Sequence, residues 1–249
     1  MGNRSSHRTA EEPLEAAPPA DKERLSLDGR DGSEAKLPPR YTACELLYEA
    51  GIPAAIWLED ALSYHGVPTL VFDLFLLVPD VDAAAQVLVR SGYKRGQLSL
   101  ALRAIPQFDN LYIPPQPTST THEEQDSAAC GNVVLLPANE WFHQLPATAE
   151  AVTDWFPTLP QLLTALIRKW LSLEEQEADL RLRIVIFIGY IYSYVDAVRA
   201  PGFELQLPRE YRVFHSDQLQ EINTEDLDTF RCQQHYLQSS IAAEQSGLE

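Results

Sequence analysis

Apolar positions along the chain fall into two regimes that meet near residue 150. In the first, apolar runs are short and separated by turn residues. Ile52 to Leu58 and Thr69 to Val78 (TLVFDLFLLV) have strand length, and Gln97 to Arg103 (QLSLALR) alternates at period two, as a half-buried strand does. Leu111 to Ile113 and Asn132 to Leu136 read as further strands. Thr42 to Ala50 predicts a helix with Thr42 as cap and Gly51 as stop, and Glu59 to His65 a short helix followed by a turn at Gly66, Val67 and Pro68. A third helix is expected from Asp80 to Arg90, with Val81, Ala84, Ala85, Leu88 and Val89 inward. Pro137 to Leu145 reads as a helical turn in which Trp141 and Phe142 pack.

Beyond residue 150 the apolar spacing becomes helical throughout. Leu162, Leu163, Leu166, Ile167, Trp170 and Leu171 follow Thr158-Leu159-Pro160, a cap with an early helical proline. Ser172 with Glu175 has capping-box spacing and predicts a long helix to about Arg199, with Leu180, Ile184, Phe187, Ile188, Ile191 and Val195 as its buried stripe. Tyr190, Tyr192 and Tyr194 on that helix read either as a pocket lining or as packing residues with a hydrogen-bonded tip. A last helix is expected over Thr224 to Ala243. The class is α/β in the α+β sense. A small mixed sheet flanked by helices occupies 39–150, and a helical region over 151–249 packs on it. Residues 1–38 lack hydrophobic periodicity and read as a disordered arm, and Pro114 to Gly131 as a surface loop.

Charge narrows the partners. The net charge is -17 over 249 residues; residues 1–40 hold 7 basic and 8 acidic side chains, leaving 12 basic against 28 acidic on the rest. So acidic a body repels phosphate backbones, which disfavours nucleic acid as a partner. Cys44, Cys130 and Cys232 are odd in number and widely spaced, which fits a reducing compartment and gives no zinc spacing. Ile184 to Tyr192, the most apolar helical run, is far short of the ~20 residues of a membrane span. No signal peptide is expected, and localisation is read as cytoplasmic. The opening MGNRSS fits N-myristoylation at Gly2, a single acyl chain that gives marginal membrane contact and a membrane-peripheral alternative. Walker loops, GxGxxG, GxSxG and HExxH are absent.

One segment carries chemistry. In IWLEDALSYHGVPTLVFDLFLLVPD, Ile56 to Asp80, a strand, a short helix ending in His65-Gly66 and a second strand bearing Asp73 follow one another, with Gly66 seven residues ahead of Asp73. This order resembles the minimal nucleotidyltransferase fold, especially the branch related to abortive-infection toxins. The core is also similar to uncharacterised proteins of filamentous fungi, a likeness that supplies no activity. The nucleotidyltransferase resemblance places the family's glycine pair on Leu58 and Glu59, its Arg on Thr69, its Thr on Val71, and its two metal-binding aspartates on Asp73 and Phe75. Only Asp73 matches.

The chemistry needs carboxylates on residues i and i+2 of one strand face to hold divalent ions, and Phe75 cannot ligate a hard cation. Glu59 and Asp60 suit a helix N-terminus but repel a triphosphate placed there. The two best later strand candidates contain no Asp or Glu, and Asp109 and Glu140 lie in or beside loops. The resemblance therefore implies a catalytically degenerate protein that binds a small molecule or a protein partner. Its candidate site is Glu59, Asp60, His65, Thr69 and Asp73, with Asp73 the candidate catalytic and metal residue, and no cofactor is expected. The alternatives are an active nucleotidyltransferase with a rearranged site, in which Asp73 with Glu59 or Asp60 holds one Mg2+, and a myristoylated adaptor.

Overall fold

The structure is a computed structural model and describes residues 38–97, 105, 108–115, 131–146, 152–220, 234, 236–239 and 241–242. Residues from Leu37 onward form one compact unit. Five strands make a single mixed sheet in the order β1-β2-β5-β4-β3: β1 (Ala55–Trp57), β2 (Leu74–Val78), β3 (Lys94–Arg95), β4 (Leu111–Ile113) and β5 (Val133–Pro137). The central pair, β2 and β5, is parallel with Leu74 opposite Val133; β1 joins β2, β4 joins β5 and β3 joins β4 antiparallel.

Strand alternation sorts the apolar residues into two cores. Ile56, Leu74, Leu76, Val78, Val133 and Leu135 face one layer, containing α1 (Thr42–Glu49) and α3 (Val81–Arg90). Ala55, Trp57, Phe75, Leu77, Val134 and Leu136 face the other, with α2 (Glu59–Tyr64), α4 (Leu159–Ser172), α5 (Ala178–Tyr194) and α6 (Arg212–Leu219). This is why the β2 and β5 sequences are apolar at every position rather than at every second one. The mixed α/β class is thus as expected, and the C-terminal helices share a core with the sheet.

Helix ends follow local chemistry. Asp80 caps α3, its Oδ1 accepting from the backbone N–H of Asp82 and Ala83 at 2.9 and 3.0 Å. Gln161 accepts from the Thr158 N–H at 3.0 Å at the start of α4. Leu180, Ile184, Phe187, Ile188, Ile191 and Val195 are all buried, as their spacing predicts.

Several boundaries differ from expectation. Thr42 is the first residue of α1 rather than its cap, and its hydroxyl donates to the Pro39 carbonyl within a preceding 3-10 turn, Pro39–Tyr41. Ser172 ends α4, donating to the Lys169 carbonyl. The bond that starts the next helix runs from the Glu174 N–H to the Glu177 carboxylate. That helix stops at Tyr194, and Asp196–Arg199 is a separate 3-10 turn. β2 begins at Leu74, not Thr69, because its ladder starts where the Leu74 N–H finds the Asn132 carbonyl. The expected strand at 98–103, most of the 114–131 loop and residues 221–233 of the last helix lie outside the described residues. Among the described residues no helix is long and apolar enough to cross a membrane.

The turn from β1 into α2 is made by a buried leucine, Leu58, at φ 51 and ψ -121. This backbone region suits glycine and strains an L side chain by about 1–3 kcal/mol. Both Leu58→Ala and Leu58→Gly forfeit the packed side chain, but only the glycine variant also relieves the backbone. We therefore expect the usual order to invert, with Leu58→Gly more stable than Leu58→Ala by about 1 kcal/mol in urea denaturation. An alanine variant at least as stable as the glycine one contradicts the strain.

Candidate functional site

The Leu58 turn sets two consecutive carboxylates, Glu59 and Asp60, in the first turn of α2, both buried. Neighbours on a helix point in different directions, and each meets its own arginine. Asp60 takes the fork of Arg40, accepting from Nε and Nη2 at 2.7 and 2.8 Å, with the Tyr41 hydroxyl at 3.4 Å. Burial and Asp60 together push the Tyr41 phenol up to about 12. Glu59 accepts from Arg183 of α5, whose guanidinium lies over the rings of Phe108 and Phe187, at 5.8 and 5.4 Å from their centroids. Glu59 Oε2 is buried with no hydrogen-bond partner. Burial pushes the Glu59 carboxyl above its ordinary value, and Arg183 opposes the shift.

Asp73 sits one residue ahead of β2, where Asn132 Nδ2 donates to its Oδ1 at 2.9 Å. A cavity of about 800 Å3 is lined by Pro68 to Asp73 segment residues on one side and by α5 on the other. Its polar groups are Glu59, Thr69, Asp73, Asn132 and Arg183; aromatic lining comes from Phe72, Phe75, Phe187, Tyr190 and Tyr194. Phe72 remains 69% exposed. Its carbonyl accepts from Arg40 Nη1 at 3.1 Å, and Gly131 lies so close to that carbonyl that a Cβ there would collide with it. Tyr190 and Tyr194, one helical turn apart, present their rings edge to face at 5.9 Å. Tyr192 faces the core instead, its hydroxyl bonded to His215 Nδ1 at 2.9 Å.

Of the residues grouped by sequence, Glu59, Thr69 and Asp73 come together on this cavity. Asp60 and His65 do not line it. Asp60 is held by Arg40, and His65 Nε2–H donates to the Pro157 carbonyl at 2.9 Å, with burial lowering its pKa against that bond. Gly2 lies outside the described residues. Sequence reading passed over Arg183, Asn132 and Phe72. The available signal for Arg183 was its charge beside Ile184 in the most apolar stretch of the chain.

Mg2+, which the resemblance implies for an active enzyme, needs several hard oxygen donors at this cavity. Asp73 supplies a carboxylate, but Phe75 is buried against Phe108 at 5.0 Å between centroids, and Glu59 is already bonded to a guanidinium that would oppose a divalent cation. Asp109 and Glu140 are exposed and do not line the cavity. Among the described residues no group of three His, Cys, Asp or Glu is placed to hold a metal. The set does not fit the ion. Comparison with family models, with curated proteins and with solved structures gives no match.

Removing Arg183 leaves Glu59 buried and unpaired. We expect Arg183→Met to cost about 3 kcal/mol at neutral pH and to make stability pH-dependent. Without the guanidinium the Glu59 carboxyl rises further above its ordinary 4.5. A carboxyl raised in the folded state gives stability that is complete below the unfolded pKa and is lost as pH climbs through the folded one. Chemical denaturation of Arg183→Met between pH 4 and 8 should therefore show falling stability relative to the unsubstituted chain, and adding Glu59→Gln should remove that slope. A slope that survives Glu59→Gln places the titrating group elsewhere.

Proposed function

We propose that the chain is a catalytically silent relative of nucleotidyltransferases, retained as a binding module for a small organic molecule. The observation that carries this reading is the cavity beside Asp73. It occupies the place where the resemblance puts catalysis, yet it is walled by aromatic rings, and of the two positions assigned to metal-binding aspartates only Asp73 is an acid. Its volume of about 800 Å3 falls within the ~300–1,000 Å3 usual for small-molecule sites.

Two further features support descent from that fold. Leu58 keeps a glycine-type backbone at the position assigned to the family's glycine, as if the turn outlasted the residue that made it easy. Asp73 lines the cavity at the entry to β2, while the position assigned to the second aspartate is core. The one-metal alternative gains from Glu59 sharing the cavity with Asp73, but Arg183 engages that carboxylate. Two acids and a paired arginine also make a poor seat for a triphosphate.

Titration calorimetry with ATP and Mg2+ tests the reading. The expected result is no saturable binding below millimolar concentration and no pyrophosphate release. Micromolar ATP binding that disappears in Asp73→Asn would overturn it and favour the transferase.

A further inference from the structure

Resting on the binding reading above, the unmet polar groups of the cavity narrow the class of ligand. Asp73 has one oxygen bonded to Asn132, and among the described residues no cationic side chain is paired with it. The nearby Arg40 has its fork on Asp60 and its remaining nitrogen on the Phe72 carbonyl. Glu59 is 5% exposed, and its Oε2 has no partner. Both acids line the same cavity as Phe72, Tyr190 and Tyr194.

Each ligand class can be set against those groups. An anion meets Asp73 and finds, among the described lining residues, a single arginine, Arg183, whose Nη2 is on Glu59 and whose unpartnered Nε is buried. A divalent ion lacks a donor set, as shown above. A neutral apolar molecule fills the aromatic walls but strips water from a carboxylate without replacing its hydrogen bonds, which costs more than burying a neutral polar group unpaired. A protonated amine on an apolar body meets every requirement at once. Its N–H groups can donate to the Asp73 carboxylate, which one amide alone engages, its charge balances Asp73, and its carbon skeleton packs on the rings, whose faces attract cations. The net charge of -17 also raises the local concentration of cations and speeds their capture.

We infer that the cavity binds a protonated primary or secondary amine carried on an aryl or alkyl body, with the ammonium group toward Asp73 and the body against Phe72, Tyr190 and Tyr194. The Asp73 carboxylate, an acceptor, favours an ammonium that bears N–H over a quaternary one.

Three probes that differ only in the head group test this on the full chain by calorimetry at pH 7: 2-phenylethylamine, 2-phenylethanol and 3-phenylpropionate. The amine should saturate at least tenfold more tightly than the alcohol, and the carboxylate should not bind. Asp73→Asn, which preserves shape, should bring the amine to within twofold of the alcohol, and Tyr194→Ala, at an exposed position, should weaken both. Thermal melts of each variant check that it is folded. Equal affinity for amine and alcohol, or a preference unchanged in Asp73→Asn, overturns the amine inference while leaving the binding module standing. Absence of saturable binding by all three probes also overturns it. Failure of the underlying reading is recognised separately, by ATP binding that depends on Asp73.

Discussion

The structure turns on two adjacent carboxylates that are buried at the head of a short helix and drawn apart by arginines. Arg40, just ahead of α1, takes Asp60; Arg183, in α5, takes Glu59. Glu59 thereby ties α2 to the C-terminal helices, and Asp60 ties it to the segment leading into α1. The N-terminal end of a helix already favours negative charge, but that alone does not offset the removal of two carboxylates from water. Guanidinium pairing opposes that cost, without cancelling it at Glu59, and so the positions of α1, α2 and α5 are coupled through charge as well as through apolar contact.

The cavity follows from where pairing in the sheet begins. β1 is only Ala55–Trp57, and its last rung is Trp57 opposite Phe75. Ahead of Leu74 the chain has no β1 partner, Pro68 lacks an N–H, and the Thr69 N–H turns back to the Val67 carbonyl. The segment bows from the sheet, and Leu70 and Phe72 are exposed rather than packed. Arg40 on the Phe72 carbonyl and Gly131 pressed against it fix this rim. The facing wall comes from α5, where Arg183, Phe187, Tyr190 and Tyr194 recur at three- and four-residue spacing on one side of the helix.

How much was legible in the sequence depends on the range of the interaction that decides each feature. The core stripe of α5 and the start of α3 beside Asp80 follow from spacing within a few residues and read directly. Ser172 misled because Ser-x-x-Glu spacing does not say whether the serine opens one helix or ends another; here its hydroxyl reaches back to Lys169. Glu59 and Asp60 were visible as acids at a helix start, but reading them as bare charge failed because their partners lie 124 and 20 residues away. His65 was grouped with the site through a resemblance, while its ring bonds a backbone carbonyl 92 residues on. The exposure of Phe72 was hidden because TLVFDLFLLV looks uniformly strand-like. Only the loss of pairing before Leu74 separates its two halves.

The reach of the Glu59 pair also bears on synthesis. Arg183 leaves the ribosome 124 residues after its partner, a lag on the order of 10 s at ordinary elongation rates. Throughout that interval the sheet face bearing Trp57, Phe75 and Leu77, joined by Val134 part-way through, lacks α5, and Glu59 lacks its counter-charge. Closing that face before α5 arrives would bury Glu59 without a counter-charge, a cost that the completed chain lowers by bringing the cation on the same helix that covers the face.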